Sequence, residues 1–307
     1  MNKVKVFAPA TIANVGCGFD VLGLALHEPG DVVEVKLNDK KILQIENCTN
    51  VDLPMEPERN VTTVAIKAML DALQSNQGCD VIFHTKIHPG SGIGSSAASS
   101  VAGIFGLNEL LNKPFTRKEL VRFAMEGERI ASGAAHADNV APALLGGFTL
   151  VRSYTPLDIY SIPSPDELYC TVVHPDIEVK TKDSRMIIKK MIPLKDAIIQ
   201  WGNVAGLITG LFTSNYELIG NSLTDIIVEP IRSLLIPEFY KVKNIALEMG
   251  ALGCSISGSG PSMFALSKSN DQALKIGDAM KSVFTGIGIE SNVYTSKINK
   301  TGVKVID

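Results

Sequence analysis

The sequence lacks the features that mark several large classes of protein. Its five cysteines are odd in number and include no Cys-x-x-Cys pair, which indicates reduced thiols and neither a disulfide framework nor a zinc site. The first residues, MNKVKVFAPA, lack the apolar core that a signal peptide has. No apolar run is close to the length needed to span a membrane. The formal net charge is only -3 and the basic residues are scattered, which argues against a nucleic-acid partner. We therefore expect a soluble, cytoplasmic protein without nucleic-acid or membrane partners.

Arginine is scarce as well, with seven in the whole chain. Three of them fall on one predicted helix, where a solvated role is expected. Arg185 and Arg232 stand instead beside turn and proline signals. A guanidinium group grips a carboxylate through two parallel hydrogen bonds, so these two are candidates for anion binding. A surface salt bridge is the simpler interpretation of each one taken alone.

What is present indicates an ordinary globular protein of two packed units. The chain has 307 residues, of which 45% are hydrophobic and 20% charged. Strand and helix periodicities mingle in both halves, which predicts an α/β or α+β class. The Pro/Ser-rich stretch IPSPDE marks a domain joint near residue 155, so we expect domains at residues 1–155 and 156–307. The predicted strands are KVKVFAP, DVVEVKL, DVIFHTKI, GGFTLVRSY, LYCTVVHP and GCSISGSGPSMFAL, the second and third with Lys, Glu and His on their exposed faces.

The stretch HPGSGIGSSAASS, His88–Ser100, crowds three glycines and five serines in front of a predicted helix. Bare backbone at a helix N-terminus can turn its N–H groups toward an anion. The spacing fits neither a Walker A loop nor a dinucleotide fingerprint, because both require glycine where Ser95 stands. A flexible loop with a serine helix cap is the competing interpretation. Ser95 and Ser96 could either cap the helix or help a cation to hold a bound phosphate.

The next predicted helix begins at a capping box formed by Thr116 and Glu119 and stops at Gly133. It carries Glu128 on its apolar stripe, in line with Leu120, Ala124 and Ala131. A carboxylate on an inward face near a phosphate loop suits Mg²⁺, which prefers hard oxygen ligands. Most helical carboxylates are solvated instead. Glu126, on roughly the opposite face, is the internal comparison.

The segment after that helix is polar, with His136, Asp138 and Asn139 ahead of a Gly-Gly pair. No cysteine or second histidine stands nearby in the sequence, so zinc is not indicated. A lone loop histidine is usually solvated, and only its acidic and amide neighbours favour a functional role.

A second glycine cluster, Gly250–Ser262, lies within a strand pattern and predicts the close approach of two backbones. Three motifs now stand in order: APATIANVGCGFDVLG, HPGSGIGSSAASS and SISGSGPS. In that order they resemble the three motifs of the GHMP kinases, which include galactokinase, homoserine kinase, mevalonate kinase and phosphomevalonate kinase. The resemblance covers essentially the whole chain. Within the family, four stretches closely resemble the homoserine kinases: NVGCGFDVLG, HADNVAPALLGGFTL, TKDSR and EPIRSLLIP.

The resemblance implies an α+β two-lobed GHMP kinase fold. Its N-terminal lobe would have a mixed sheet and helices that bear the phosphate loop, its C-terminal lobe would be α/β and sandwich-like, and the active site would lie in the cleft between them. ATP and Mg²⁺ are the implied cofactors, with Mg²⁺ held by Ser96 and Glu128, and with Asn60 at a position that contacts the nucleotide base. The loop residues implied in ATP binding are Pro89, Gly90, Ser91, Gly92, Ile93, Gly94, Ser95 and Ser96.

The resemblance also implies L-homoserine as the small-molecule substrate. The residues implied in its binding are Asn14, Asp20, His136, Asn139, Arg185 and Arg232. Those implied in catalysis are Asn139, Glu128, Ser96 and Thr181, the last at a position near the phosphates. Homoserine kinases are described as lacking the aspartate base of mevalonate kinase and galactokinase, and whether Asp138 acts as a base stays open. The oligomeric state, for which a homodimer is one option, stays open as well.

The implied function is ATP-dependent phosphorylation of the homoserine hydroxyl in threonine biosynthesis. One alternative is another GHMP kinase, acting on an isoprenoid precursor or a sugar, which a panel of acceptors would distinguish. Another is a family-like fold that only binds a small metabolite. The presence of Ser96, Glu128 and the loop glycines argues against that second alternative.

Overall fold

Two β-sheets and ten α-helices form the part of the chain that the structure, a computed structural model, describes: residues 2–179 and 181–306. Side chains are described there except for those of Thr181 and Lys182. The strands are β1 Lys3–Ala13, β2 Leu22–Asn38, β3 Leu43–Asn47, β4 Gly78–Thr85, β5 Phe148–Tyr154, β6 Leu157–Ile162, β7 Tyr169–Pro175, β8 Gly253–Ile256, β9 Met263–Ser267, β10 Ser291–Lys297 and β11 Lys304–Ile306. The helices are α1 Val61–Ala72, α2 Ser95–Leu110, α3 Arg117–Ser132, α4 Val140–Leu145, α5 Thr181–Met186, α6 Leu194–Thr213, α7 Tyr216–Ser222, α8 Glu229–Arg232, α9 Phe239–Glu248 and α10 Asn270–Thr285, with a 3₁₀ turn at Ser233–Leu235.

The larger sheet has seven strands in the order β11-β1-β2-β4-β3, with β5 paired to the start of β2 and β6 paired to β5. Strands β3 and β4 run parallel, whereas β2 is antiparallel to β1, β4 and β5. The sheet is therefore mixed, as the resemblance implied. Strands β6 and β11 both follow residue 155, so this sheet contains strands from both sides of the expected domain boundary. The boundary itself stays a prediction.

The smaller sheet is antiparallel, in the order β10-β7-β9-β8. Its strand β9 is buried on both faces. Phe264 and Leu266 join the main core, which is shared with the larger sheet, whereas Met263 and Ala265 pack in a second cluster with Phe284 of α10. This layer between two cores is the sandwich-like lobe, and it brings the loop between β8 and β9 toward the larger lobe.

Helix α2 is the central helix of the larger lobe and is buried nearly all round. Residues 95–100, which form its first turns, are all Ser or Ala, so neighbouring helices can approach closely. The Ser100 hydroxyl, for example, donates to the Val61 carbonyl at the start of α1 at 3.3 Å. None of the helices in the described ranges is both long and apolar enough to cross a bilayer.

Several predicted elements differ from the structure. The single strand predicted over GCSISGSGPSMFAL is wrong, because residues 257–262 turn the chain back between β8 and β9. DVVEVKL is only the second half of β2, which starts at Leu22, and the supposed joint IPSPDE begins inside β6. The sequence patterns also missed the short elements β3, β6, β10, β11, α4, α5, α7 and α8.

Candidate active site

A cavity of about 500 Å³ lies between the two glycine-rich loops. The loop residues Ser91 and Ile93 are buried but do not line it, and the side chain of Thr181 lies outside the described part of the chain. The predicted site residues that line the cavity are Asn14, Asp20, Asn60, Pro89, Gly90, Gly92, Gly94, Ser95, Ser96, Glu128, His136, Asn139, Arg185 and Arg232.

The phosphate loop owes its shape to backbone conformations that favour glycine. Gly90, Gly92 and Gly94 have φ values of 76°, 77° and 72°. Gly94 is the N-cap of α2 and makes no side-chain cap bond, so the N–H groups of the first helical turn lack a helical acceptor and can face an anion. Ser95 does not cap the helix either, because its hydroxyl donates to the Ile87 carbonyl at 2.7 Å. This geometry fits an anion site better than a serine-capped loop.

The three glycine-rich motifs meet at this loop. The Ser257 hydroxyl donates to the Gly92 carbonyl at 2.6 Å, and the Ser262 hydroxyl donates to the Ser91 carbonyl at 2.5 Å. From the first motif, the Thr11 N–H donates to the Ile93 carbonyl at 3.1 Å. The predicted close approach of two backbones at the second glycine cluster is therefore confirmed, and both lobes fix the loop.

Lys86 is a site residue that the sequence patterns missed. The strand alternation predicts that it is exposed, which is wrong, because its ammonium pairs with Asp31 at 3.1 Å and both side chains are almost fully buried. Its Nζ also donates to the Ser95 carbonyl at 3.0 Å, and Asp31 accepts a hydrogen bond from the Ser99 hydroxyl at 2.6 Å. Burial lowers the pKa of Lys86, and Asp31 acts in the opposite direction. A buried charge pair thus supports the phosphate loop from below.

Glu128 is buried beneath the same loop, and within the described residues its Oε1 has no hydrogen-bond partner. Burial raises the pKa of this carboxyl to about 7, whereas the Ser96 hydroxyl and Lys86 act in the opposite direction. Glu126 instead pairs with Arg129 at 3.0 Å near the surface. A buried, unpaired carboxylate oxygen fits a hard cation. The described residues hold no cluster of three or more His, Cys, Asp or Glu that could bind a metal, so Mg²⁺ here would take other ligands from hydroxyl, phosphate and water oxygens.

Asn60 shapes the opposite wall of the cavity. Its Oδ1 accepts from the Thr62 N–H at 3.0 Å, which caps α1, and its Nδ2 donates to the Pro54 carbonyl at 2.9 Å. Leu53, Pro54 and Phe83 also line the cavity and give this wall an apolar surface. Such a surface suits the flat face of a nucleobase.

Arg185 and Asp20 also line the cavity and form a two-pronged ion pair, with N···O distances of 2.9 and 2.7 Å. His136 Nδ1 lies 4.0 Å from Asp20 Oδ1. Burial lowers the pKa of His136, and Asp20 acts in the opposite direction. The Tyr154 hydroxyl holds this corner by donating to the Asp20 main-chain carbonyl at 3.0 Å.

Arg232 converges on the same corner from the smaller lobe. It is only 3% exposed, and its Nη1 donates to the Gly258 carbonyl at 2.8 Å. Burial, followed by the charge of Arg185, lowers the pKa of Arg232 to about 10, so it stays charged near neutral pH. Both guanidinium carbons lie over the Phe19 ring, at 5.4 Å for Arg185 and 5.2 Å for Arg232. Two cations and one carboxylate thus face a small space.

Asn14, Asn139 and Asp138 line the cavity as well. Asn14 Nδ2 donates to the Gly258 carbonyl at 2.9 Å, and Asn139 Oδ1 accepts from the Thr11 hydroxyl at 2.8 Å. Asp138 is buried, and burial, with Asp20 and Glu128, raises its pKa to about 7. The site therefore holds two buried carboxyl groups, Glu128 and Asp138, that titrate near neutral pH.

Comparisons with known proteins agree with this geometry. Residues 60–147 match the family model described as the GHMP kinases N terminal domain, and residues 207–286 match that of the GHMP kinases C terminal. A homoserine kinase of Chlorobium phaeobacteroides is 49% identical over 320 residues, covering 100% of each chain. The chain belongs to the homoserine kinases of the GHMP kinase family. The resemblance of its three motifs is thereby confirmed, and the chain is an ATP-dependent kinase.

Other members of the homoserine kinase family support the same assignment. That of Pyrococcus furiosus is 40% identical over 97% of this chain and 98% of its own. The crystal structure of homoserine kinase from Cytophaga hutchinsonii superposes with a TM-score of 0.96 at 54% identity, covering 100% of this chain and 98% of that one. A mevalonate kinase of L. major, solved with R-mevalonate, has a TM-score of 0.71 at 20% identity over 96% of both chains, which shows a shared fold.

Proposed function

We propose that this chain transfers the γ-phosphoryl group of ATP to the side-chain hydroxyl of L-homoserine, giving O-phospho-L-homoserine for threonine biosynthesis. The observation that carries the proposal is the composition of one cavity. It is lined both by the glycine loop and by the charged set Arg185, Arg232 and Asp20. An acceptor with a carboxylate, an ammonium and a hydroxyl group matches that charged set.

ATP binding is assigned to the loop and the apolar wall. The phosphates would accept hydrogen bonds from main-chain N–H groups of residues 90–96, and the base would lie against the wall that Asn60 and Phe83 form. Lys86 holds the loop through Ser95 and is a positioning residue in this scheme.

Mg²⁺ would be held by Ser96 and Glu128, and when bound it neutralises charge on the transferring phosphate. The unpaired Oε1 of Glu128 supports this assignment. Thr181 remains a candidate near the phosphates on the basis of the family resemblance.

Homoserine binding is assigned to the corner where the two lobes meet. The substrate carboxylate would take the forks of Arg185 and Arg232, and its ammonium would pair with Asp20. A zwitterionic substrate can replace the ion pair between Asp20 and Arg185, because its ammonium pairs with Asp20 and its carboxylate pairs with Arg185. Neither side chain is then left buried and unpaired. Asn14, Asn139 and His136 surround the remaining space and would orient the hydroxyl. Positioning and charge neutralisation then supply most of the rate, as a loose phosphoryl-transfer transition state requires.

The chain is further proposed to work as a cytoplasmic homodimer. All five cysteines are free thiols, which supports a reducing compartment. The exposed apolar side chains Leu194, Ile198 and Trp201 of α6 support the dimer.

An acceptor panel tests the function. ADP release would be measured with L-homoserine, mevalonate and galactose at saturating MgATP. We expect turnover with homoserine and at most a small fraction of that rate with the other two. A preference for mevalonate or galactose would establish the sibling kinase instead, and ATP binding without turnover on any acceptor would favour a metabolite-binding protein.

A further inference from the structure

The hydroxyl of Tyr154, the last residue of β5, joins two segments of the cavity wall. It donates a hydrogen bond to the Asp20 main-chain carbonyl at 3.0 Å and accepts one from the Ala137 N–H at 3.3 Å. Ala137 stands between His136 and Asp138, which line the cavity as Asp20 does. A single side-chain oxygen therefore connects the loop that follows β1 to the loop that precedes α4.

The main chain of Asp20 lies in the left-handed region, with a φ of 62°. Residues other than glycine keep such a conformation where their surroundings hold it. At Asp20 both main-chain groups are held, because its N–H donates to Asn14 Oδ1 at 3.1 Å and its carbonyl accepts from the Tyr154 hydroxyl. These two hydrogen bonds set the direction in which the Asp20 carboxylate leaves the main chain, toward Arg185.

The surroundings of Tyr154 keep its hydroxyl protonated and able to donate. Burial raises the pKa of this hydroxyl, and the charge of Asp138 acts in the same direction. The ring lies edge-on to the His136 ring, with centroids 6.5 Å apart. Phenylalanine at this position would keep the ring and lose only the two hydrogen bonds.

Tyr154 is not one of the residues that line the cavity, so it can affect the acceptor only through the residues that it holds. We propose that Tyr154 is a positioning residue, whose hydroxyl holds Asp20 where its carboxylate pairs with the acceptor ammonium. This role rests on the proposed function, in which Asp20 recognises that ammonium group. The preference for an amino acid is then set in part by a side chain that does not touch it.

The acceptor preference of Tyr154→Phe tests this role. We expect kcat/KM for L-homoserine to fall by roughly tenfold, because a displaced binding group costs rate as well as affinity. The value for 4-hydroxybutyrate, which lacks the ammonium, should change much less, and KM for ATP should stay unchanged. Tyr169→Phe is the matched control, since it also removes one phenolic hydrogen bond, of 3.1 Å to Glu167 near the surface. It should leave the preference unaltered.

A double-mutant cycle shows whether Tyr154 acts through Asp20. If it does, Tyr154→Phe should cause little further loss of homoserine kcat/KM in a chain that already carries Asp20→Asn. Losses that simply multiply overturn the proposal. So does a Tyr154→Phe chain that keeps the wild-type preference for homoserine.

Hydrogen–deuterium exchange measures the same link without turnover. Peptides that cover residues 14–20 and 134–138 should exchange faster in Tyr154→Phe than in wild type, and those from β7 should not. Unchanged exchange in both segments overturns the proposal even if the variant loses activity. A wild-type chain that does not phosphorylate homoserine overturns the proposed function and this role together, whereas an active wild type whose preference survives Tyr154→Phe overturns the role alone.

Discussion

Arg185 and Asp20 hold each other across the candidate substrate corner, through a pair of hydrogen bonds of 2.9 and 2.7 Å between guanidinium and carboxylate. In this form the Arg185 and Asp20 side chains satisfy each other's charge. An acceptor must therefore replace both partners, which a zwitterionic amino acid does and a neutral sugar does not. The charge selectivity of the enzyme should follow from this pair and from Arg232 beside it.

Arg232→Lys should raise KM for L-homoserine by roughly tenfold or more, equivalent to about 1.4 kcal/mol. Lysine keeps the charge but loses the planar fork that fits a carboxylate. KM for ATP should stay unchanged, because Arg232 is assigned to the acceptor carboxylate and not to ATP. Arg152→Lys, at an exposed ion pair with Asp158, is the matched control and should leave both KM values alone. Unchanged homoserine kinetics in Arg232→Lys, or a defect confined to ATP, would refute the assignment.

Glu128→Gln should reduce kcat by orders of magnitude, whereas Glu126→Gln should be nearly silent. Removing a metal ligand typically costs several kcal/mol of transition-state stabilisation, while Glu126 pairs only with Arg129 near the surface. Steady-state rates across a Mg²⁺ titration give the comparison, and Glu128→Gln should also need more Mg²⁺. Equal effects of the two substitutions would show that Glu128 is not the ligand.

Gly92→Ala should weaken ATP binding and lower Tm, whereas Gly90→Ala should weaken ATP binding with a smaller loss of Tm. Both glycines have positive φ, which costs other residues ~1–2 kcal/mol. A Cβ on Gly92 would also lie 2.6 Å from the Gly260 carbonyl oxygen, whereas one on Gly90 would meet nothing closer than 3.8 Å. Calorimetric ATP binding and thermal melts measure the two effects. Full ATP affinity in a folded Gly92→Ala protein would mean that the loop is only a linker.

The free energy of unfolding should decrease as the pH rises from about 4 to about 7, in part because of Asp138. Its pKa in the folded protein is raised to about 7 from 3.8, so in this window the folded state keeps a proton that the unfolded chain releases. The free energy of unfolding therefore decreases as pH rises through the window. Asp138→Asn should remove this loss and be more stable than wild type at pH 8 by a few kcal/mol, on the order of the shift converted to energy. Urea unfolding at a series of pH values measures the free energy of unfolding of both proteins. If the two curves against pH run parallel, Asp138 does not titrate in this window with a raised pKa.

Local features of the fold could be predicted from the sequence. Helix α3 begins with the predicted capping box, in which Thr116 Oγ1 accepts from the Glu119 N–H and the Glu119 side chain accepts from the Thr116 N–H. It ends at Gly133 in the left-handed conformation, as predicted. The capping box and the terminal glycine each depend on residues within one helical turn, so the local sequence is enough to predict them.

Features that depend on distant partners could not be predicted. Lys86 is buried only because the fold brings Asp31 beside it, and its own strand pattern indicates exposure. Arg185 and Asp20 are 165 positions apart, and their pairing has no sequence signal. Short strands such as β11 lack a period of their own and form because β1 supplies their hydrogen bonds. The order of the three motifs nevertheless identified the family, because each motif is local while their order reports the whole fold.

The most direct measurement is the kcat/KM of the wild-type chain and Asp20→Asn for L-homoserine and for 4-hydroxybutyrate, which lacks the ammonium group. We predict that wild type prefers L-homoserine by roughly tenfold or more, since an unpaired buried charge costs ~1–3 kcal/mol or more. Asp20→Asn should lose most of that preference, mainly through a fall in kcat/KM for homoserine. Equal use of the two acceptors by wild type, or an unaltered preference in Asp20→Asn, would contradict homoserine recognition in this cleft.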